Sequence, residues 1–427
     1  MAPELTDAGA RARSRIAWRL LPFLFLLYVA NYLDRTNIAF ATLGMKGELG
    51  LSDSVFGTAS GIFFVGYLLL QIPGAVLVER WSARLLLAST LIAWGALTVL
   101  TGFVRSRAEL YGARLLLGAA EAAFFPAVIV YLSHWFVARD RAKAAARFMS
   151  AIPVAAMIGG PLAGVILGVD WHGVPGWRWL FFLEGVPAVA LGIATLFVLR
   201  DRPHQASWLR ADEREWLSTE LRKEQEAKAN VVPITTWQAL RSWPVVLLTL
   251  ALLFCYAGGY AFWFWMPTML QRMTAWDVQR VGWISAIPFL AGLVGMLLVG
   301  WNSDRMGERR WHFAVPQLTA ATALIAWLFL PHSPAVLVVV FTLVGFGTSA
   351  HLPAFWALPT TFLSASAAAA AIGFINCIAS IGGFFGPKLI GTLSQRTGSF
   401  DAGFVFMSAC LIIASVLVLL CPRARVA

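Results

Sequence analysis

Charged side chains are scarce in this chain, since Asp, Glu, Lys and Arg make up only 13% of its 427 residues. A soluble domain carries about a quarter, so this composition argues against a soluble fold. Cysteines are also few: the four of them, Cys255, Cys377, Cys410 and Cys421, match neither a disulfide framework nor a metal-ligand spacing. We therefore expect no metal and no cofactor.

Catalytic motifs are missing as well. We find no nucleophile–base constellation and no phosphate-binding loop, so we expect neither an enzyme nor an ATP-driven pump. The formal net charge is +11, but the sequence contains no recognisable nucleic-acid-binding module. Helical membrane proteins gather Lys and Arg in their cytoplasmic loops, and this explains the basic balance without a nucleic-acid partner.

Long apolar runs dominate the chain, with 59% hydrophobic residues and a mean hydropathy of +0.73. About twenty apolar residues span a bilayer as a helix. By that rule the sequence predicts an all-α membrane protein with twelve transmembrane helices, at 17–42, 54–78, 84–104, 108–135, 143–168, 177–199, 244–271, 279–300, 311–330, 335–362, 366–394 and 400–421. Gly, Pro and Ser interrupt the fifth, tenth and eleventh.

One long polar stretch, 200–242, separates two sets of six segments. It contains a charged amphipathic pattern, which predicts a linker helix on the membrane surface. We expect an N-terminal six-helix bundle at 1–199, a cytoplasmic linker at 200–242 and a C-terminal bundle at 243–427. Most of the 33 Lys and Arg residues fall on the side of the termini and the linker. This bias predicts an inner-membrane protein with both termini in the cytoplasm.

The two halves repeat each other. After the second segment comes GAVLVERWSARLLL, and after the eighth comes GWNSDRMGERRW, each with an acid followed by Arg. The fifth segment carries IGGP and the eleventh IGG followed by GP, about 225 residues later. Related six-helix halves are typical of secondary transporters, whose substrate site lies between the halves near the midplane.

These features resemble the major facilitator superfamily. Within it, the chain is similar to the anion:cation symporter family, which includes bacterial carriers of tartrate, phthalate and sugar acids. The strings that carry this resemblance are NYLDRTN (31–37), GY (66–67), Arg114 with Glu121, and GWRWLFFLEG (176–185). The resemblance implies the twelve-helix, two-bundle fold of that superfamily and transport of a small organic anion.

Four ionisable residues stand within apolar segments of the N-terminal half: Asp34, Arg35, Arg114 and Glu121. An intramembrane charge is costly and points to a functional site. The alternative is a static interhelical ion pair for Asp34, Glu121 and Arg114, and snorkelling to the outer interface for Arg35. A spacing of seven puts Arg114 and Glu121 on one helix face, so we expect Arg114 to modulate Glu121. By resemblance, Arg35 and Arg114 bind the substrate anion, while Asp34 and Glu121 carry protons.

Four further residues match cavity-lining positions of the family: Tyr32, Tyr67, Trp356 and Asn376. Packing or interface anchoring is the alternative for the aromatic ones. The stretch around Trp356 lacks the hydroxyl residues of sugar-acid carriers, which favours a smaller or partly apolar carboxylate. Two other interpretations are structural, a pair between Arg178 and Glu184 at the start of the sixth segment and core packing of His351.

The predicted function is proton-coupled symport of a small organic anion by alternating access. The expected partners are that anion, the proton and the lipid bilayer, and we expect a monomer. One alternative is a drug or metabolite exporter driven by proton antiport, which the paired arginines disfavour for a cationic drug. Another is a transport-inactive receptor or structural membrane protein, which the buried acid–Arg set disfavours.

Overall fold

The computed structural model describes residues 2–229, 241–363 and 365–422. Residues 230–240 of the predicted linker lie outside this description. Eleven helices of the described part are long and apolar enough to cross a membrane. The remaining predicted segment, 311–330, forms a shorter and more polar helix, Arg310–Trp327, that packs within the same bundle. The all-α, two-bundle fold predicted from the sequence is confirmed.

The N-terminal bundle contains eight helical pieces that build six spans. They are α1 (Ala2–Glu48), α2 (Asp53–Arg80), α3 (Ala83–Thr101), α4 (Arg107–Glu121), α5 (Phe124–Trp135), α6 (Ala138–Met149), α7 (Ala151–Leu167) and α8 (Gly176–Val198). The linker follows as a short 3-10 turn, Pro203–Gln205, and helix α9 (Ala211–Ala229).

The C-terminal bundle follows the same plan. Its helices are α10 (Trp243–Thr274), α11 (Val278–Met306), α12 (Arg310–Trp327), α13 (Pro334–Ala350), α14 (Leu352–Ala357), α15 (Ala365–Thr397) and α16 (Asp401–Leu419), with a 3-10 turn at Pro359–Thr361. The tenth span breaks at His351, between α13 and α14, and Pro353 follows at the start of α14. The eleventh runs unbroken through Pro387.

Helix α1 is much longer than the predicted span because its polar first turns pack on the linker. Arg11 pairs with Asp212 at 2.7 Å, and Arg15 pairs with the fully buried Glu213 at 2.8 Å. Arg13 binds Asp140 of α6 through two nitrogens. The start of α1, the linker helix and the N-terminal bundle are thus held together.

The two bundles meet most closely at the end opposite the termini, which we call the far face. There α1 leads into α2, and α10 leads into α11. Helix α2 packs along α15, and α7 packs along α11. Aromatic side chains also cross between the bundles. Phe56 lies edge-on to Trp265 with ring centroids 4.9 Å apart, and Phe64 lies 4.6 Å from Tyr260.

Candidate functional site

A charged cluster lies inside the N-terminal bundle, where α1, α3 and α4 meet. It comprises the four predicted ionisable residues, Asp34, Arg35, Arg114 and Glu121. Asp34, Arg114 and Glu121 are at most 1% exposed, and the Arg35 side chain keeps 17% of its surface. The structure therefore brings together all four charges that the sequence singled out.

Glu121 pairs with Arg35 of α1. Its Oε2 accepts hydrogen bonds from Arg35 Nη2 at 2.9 Å, Arg35 Nε at 3.3 Å and Asn31 Nδ2 at 2.9 Å, while its Oε1 has no partner. The sequence pointed instead to Arg114 as the neighbour that modulates Glu121.

The fourth span breaks directly after Glu121. Pro126 has no N–H to donate to the carbonyl of Ala122, so α4 ends at Glu121 and α5 begins at Phe124.

Asp34 is held by neutral donors. Its Oδ1 accepts from Thr98 Oγ1 at 2.6 Å and from Asn37 Nδ2 at 3.0 Å, and its Oδ2 has no partner. Asn31, Asp34 and Asn37 follow one another at a spacing of three, which places them on one face of α1. That spacing is the signal that could have identified both asparagines as site residues.

Arg114 is fully buried, yet none of its three guanidinium nitrogens has a hydrogen-bond partner in the described part of the chain. It interacts electrostatically with both Asp34 and Glu121, whose free oxygens remain unsatisfied. Its guanidinium carbon lies 5.0 Å from the ring centroid of Phe63. A buried charge without hydrogen-bond partners costs several kcal/mol, so the unsatisfied guanidinium is an unusual feature of this cluster.

Phe63 reaches both arginines because α2 and α4 approach unusually closely. A Cβ added to Gly118 would lie 1.9 Å from the carbonyl oxygen of Phe63, and one added to Gly66 would lie 2.0 Å from that of Leu115. Only glycine permits this contact. As a result the Phe63 ring lies 5.4 Å from the Arg35 guanidinium as well, and cation–π attraction helps to hold both cations.

Tyrosine rings surround Arg35. Tyr67 lies under its guanidinium at 5.2 Å, and Tyr28, Tyr32 and Tyr260 are close enough to interact with its charge. Tyr32 and Tyr67 were predicted from the sequence, whereas Tyr28 and Tyr260 were not. Tyr260 belongs to the C-terminal bundle, so both bundles contribute to the surroundings of Arg35.

The other predicted residues lie at different distances from this cluster. Asn376 accepts a hydrogen bond from Tyr256 at 2.9 Å, beside Tyr260. Trp356 packs edge-on against Phe355 in a separate apolar cluster of the C-terminal bundle. Arg178 pairs with Glu48 at 2.8 Å and not with Glu184.

The structural interpretations of Glu184 and His351 have different results. Glu184 is close enough to Asn37 and Asp34 to interact electrostatically with both, which brings a third acid near the cluster. His351 is buried, contacts the Cys255 sulfur at 3.1 Å and lies edge-on to Phe313, as a core residue does.

The comparison with known families decides what kind of protein this is. Residues 24–387 match the model of the Major Facilitator Superfamily. The chain belongs to the Major Facilitator Superfamily. This confirms the resemblance drawn from the sequence, and it makes the chain a non-enzymatic transporter whose helices are embedded in a membrane.

Two named relatives and one solved structure illustrate the likeness. A protein of Agrobacterium vitis named "Putative tartrate transporter" is 40% identical over 419 residues, covering 98% of this chain and 96% of the relative. The "Quinolone resistance transporter" of Acinetobacter baumannii is 33% identical over 405 residues, covering 94% and 93%. A bacterial homologue of the human lysosomal transporter Spinster has the same fold, with a TM-score of 0.78 at 19% identity over 95% of this chain and 96% of that one.

Proposed function

We propose that this transporter imports a small organic anion together with protons by alternating access. The observation that supports this most is the buried, unpartnered Arg114 between two half-satisfied carboxylates, close to the Arg35–Glu121 ion pair. A static ion-pair network would leave fewer of these groups without hydrogen bonds. The tartrate name of one relative agrees with an anionic substrate.

The coupling follows from competition for Arg35. A substrate carboxylate accepts two parallel hydrogen bonds from a guanidinium, whereas Arg35 directs Nε and Nη2 at the single oxygen Oε2 of Glu121. When the substrate takes Arg35, Glu121 is left as a buried carboxylate without its cation. A buried carboxylate in that position is stabilised by binding a proton. Anion binding and proton binding therefore favour each other.

Arg114 and Asp34 form the second part of the cycle. Arg114 is close enough to attract whichever carboxylate is ionised. Asp34, with one oxygen bound to Thr98 and Asn37 and the other free, can accept a proton at Oδ2 without losing its existing hydrogen bonds. We assign Asp34 and Glu121 to the protons, Arg35 to the substrate, and Arg114 to both.

The substrate contacts come from both bundles in this proposal. Tyr32, Tyr67 and Tyr260 present rings and hydroxyls beside Arg35, and Asn376 offers an amide near Tyr256. This lining suits a small carboxylate with a hydroxyl or a planar portion. Trp356, which packs with Phe355, is assigned to the wall of the site on the family resemblance alone.

Orientation completes the proposal. With the termini and the basic linker in the cytoplasm, the far face is the outer side of the inner membrane. The close contact of α2 with α15 at that face then corresponds to an inward-facing state, closed to the outside. Rocking of the two bundles would open the far face and close the other side.

The deciding experiment is uptake of labelled carboxylates, L-tartrate and benzoate first, into proteoliposomes with an imposed pH gradient. We expect accumulation when the lumen is alkaline and loss of it when the gradient is collapsed. Glu121→Gln should abolish gradient-driven accumulation while leaving anion exchange, and Glu109→Gln, an exposed carboxylate on the same helix, should change neither. Accumulation that ignores the pH gradient would contradict proton coupling.

Drug export is a second candidate because one relative carries the name of a quinolone resistance transporter. The same proteoliposomes loaded with norfloxacin test it directly. Proton-driven movement of norfloxacin without movement of L-tartrate or benzoate would replace the import proposal with antiport.

A further inference from the structure

A positively charged cavity lies at the far face, between the end of α1 and the end of α10. Its volume is about 390 Å³, and it opens to the surface. Among the described residues that line it, both charged ones are cations, Lys46 and Arg272. Thr42, Thr268 and Gln271 add polar groups to the same wall. The cavity is far along α1 from Arg35 and is separate from the site described above.

The charges around this cavity do not balance. Lys46 and Arg272 both bind the single carboxylate of Asp53, which is 7% exposed at the start of α2. Arg272 binds it through two nitrogens, with Nη1 to Oδ2 at 2.8 Å and Nη2 to Oδ1 at 2.6 Å. Two cations share one anion, so one unit of positive charge remains beside the cavity.

Two hydroxyls in the wall also lack partners. Thr42 is 2% exposed and Thr268 is 4% exposed, and the Oγ1 of each makes no hydrogen bond to any described residue. Buried hydroxyls are normally satisfied. Here one hydroxyl comes from each bundle, and both line a cavity with an excess of positive charge, so both can donate to a bound anion.

We propose that this cavity is an outer vestibule that binds a small carboxylate through Lys46 and Arg272 before it reaches Arg35. The identity of the anion as a carboxylate rests on the proposed function, whereas the preference of the cavity for anions does not. Two oxygens of a carboxylate fit the guanidinium of Arg272 as those of Asp53 do.

Binding there acts on the contact between the bundles. Asp53 belongs to the N-terminal bundle and Arg272 to the C-terminal one, so their ion pair holds the two bundles together at the far face. A carboxylate that takes Arg272 and Lys46 replaces Asp53 and binds best when Asp53 has moved away. A ligand shifts a conformational equilibrium toward the state it binds better. Anion in the vestibule therefore favours opening of the far face.

The test uses a cysteine at Gly47, which lines the cavity and where an added Cβ meets no atom within 4 Å. The four native cysteines are buried, and the wild-type protein measures their background. We compare modification of Gly47→Cys by anionic sulfonatoethyl and cationic trimethylammonioethyl methanethiosulfonate, each normalised to its rate with free cysteine. We expect the anionic reagent to be favoured about tenfold at low ionic strength, less in high salt, and slowed by L-tartrate or benzoate.

Charge-removing variants in the same background identify the residues. Lys46→Gln and Arg272→Gln should each reduce the anion preference, while Arg280→Gln, a neighbouring cation that stacks on Trp276, should retain it. If one of the first two fails to fold, the other still decides. A normalised ratio near one, or a preference that neither carboxylate reduces, would overturn the vestibule. Because the readout needs no transport, its failure and the failure of the symport proposal are distinguishable.

Discussion

Arg35 performs two tasks through one group of nitrogen atoms. Its guanidinium binds Glu121 through Nε and Nη2 while resting on the rings of Phe63 and Tyr67. A planar, delocalised cation can stack and form parallel hydrogen bonds at the same time, and an ammonium cannot. The chemistry at this position is therefore specific to arginine and not to positive charge alone.

We expect Arg35→Lys to weaken binding of the transported acid about tenfold to a hundredfold. A hydrogen bond to a charged group contributes about 1.5–3 kcal/mol, and 1.4 kcal/mol is a factor of ten. Equilibrium binding of the labelled acid to purified protein measures this, with Arg178→Lys at the Glu48 pair as the matched control. An unchanged Kd accompanied by a lower Tm would assign Arg35 a structural role only.

The four intramembrane charges could be predicted from single residues, because ionised groups in apolar segments are conspicuous. Their pairing could not. Which oxygen of Glu121 meets which arginine depends on where α4 ends and how α1 is rotated against it. Thr98 and Tyr260 join the site only through tertiary packing, and nothing in their local sequence separates them from ordinary helix residues.

At the scale of helices, the approach of α2 to α4 sets the geometry of the site. Gly66 and Gly118 remove the side chains that would hold the backbones apart, and Phe63 then lies between two guanidinium groups. Small residues at interfaces serve this purpose in membranes, where close packing drives helix association. The positions of Arg35 and Arg114 relative to each other depend on this contact.

Gly118→Ala should destabilise the protein by about 1–3 kcal/mol, the usual cost of overpacking a close contact, and should reduce transport with it. Gly112→Ala is the matched control on the same helix, because a Cβ there meets no atom within 4 Å. We expect Gly112→Ala to raise stability slightly, by up to about 1 kcal/mol through helix propensity. Thermal unfolding in detergent compares them, and equal Tm values would contradict the packing account.

The number and order of helices followed from the apolar segments, because span length is fixed by the bilayer. Their interruptions were harder to predict. The break after Glu121 lies in a segment with no Gly–Pro cluster, and the eleventh segment, rich in glycine and containing Pro387, is one continuous helix. Whether a helix continues past proline depends on whether neighbouring helices provide hydrogen bonds for the backbone groups that proline leaves free. The sequence of one segment does not show which helices will be its neighbours.

Across the whole molecule, the two bundles are fastened at the far face by a small set of polar contacts around Asp53. Besides Arg272, Ser394 of α15 donates to Asp53 Oδ2 at 2.8 Å, and the backbone N–H of Ser54 donates to Gln395 at 3.1 Å. Lys46 binds the same carboxylate from within the N-terminal bundle. Opening this face must break the contacts that Arg272, Ser394 and Gln395 make across the two bundles. In the proposed alternating-access cycle, the free energy of these contacts is therefore part of the balance between the closed and the open far face.

Asp53→Asn should move that balance toward the open far face. The substitution keeps the shape and one acceptor but removes the charge that binds Arg272, a loss of about 1.5–3 kcal/mol for a charged hydrogen bond. The open population should then rise by about tenfold to a hundredfold. Spin-label distances between the far-face ends of α2 and α15 report this population, which should appear as a longer component absent from the wild-type protein.

The control for this prediction is Asp277→Asn. Asp277 lies at the same face and caps α11 by accepting from the backbone N–H of Arg280, a role that asparagine performs equally well. It should leave the distances unchanged. Because Asp53→Asn and Asp277→Asn remove the same charge from the same side of the membrane, a difference between them isolates the bond between the bundles from general electrostatics. Identical distance distributions in both variants would show that packing of α2 on α15 alone keeps the far face closed.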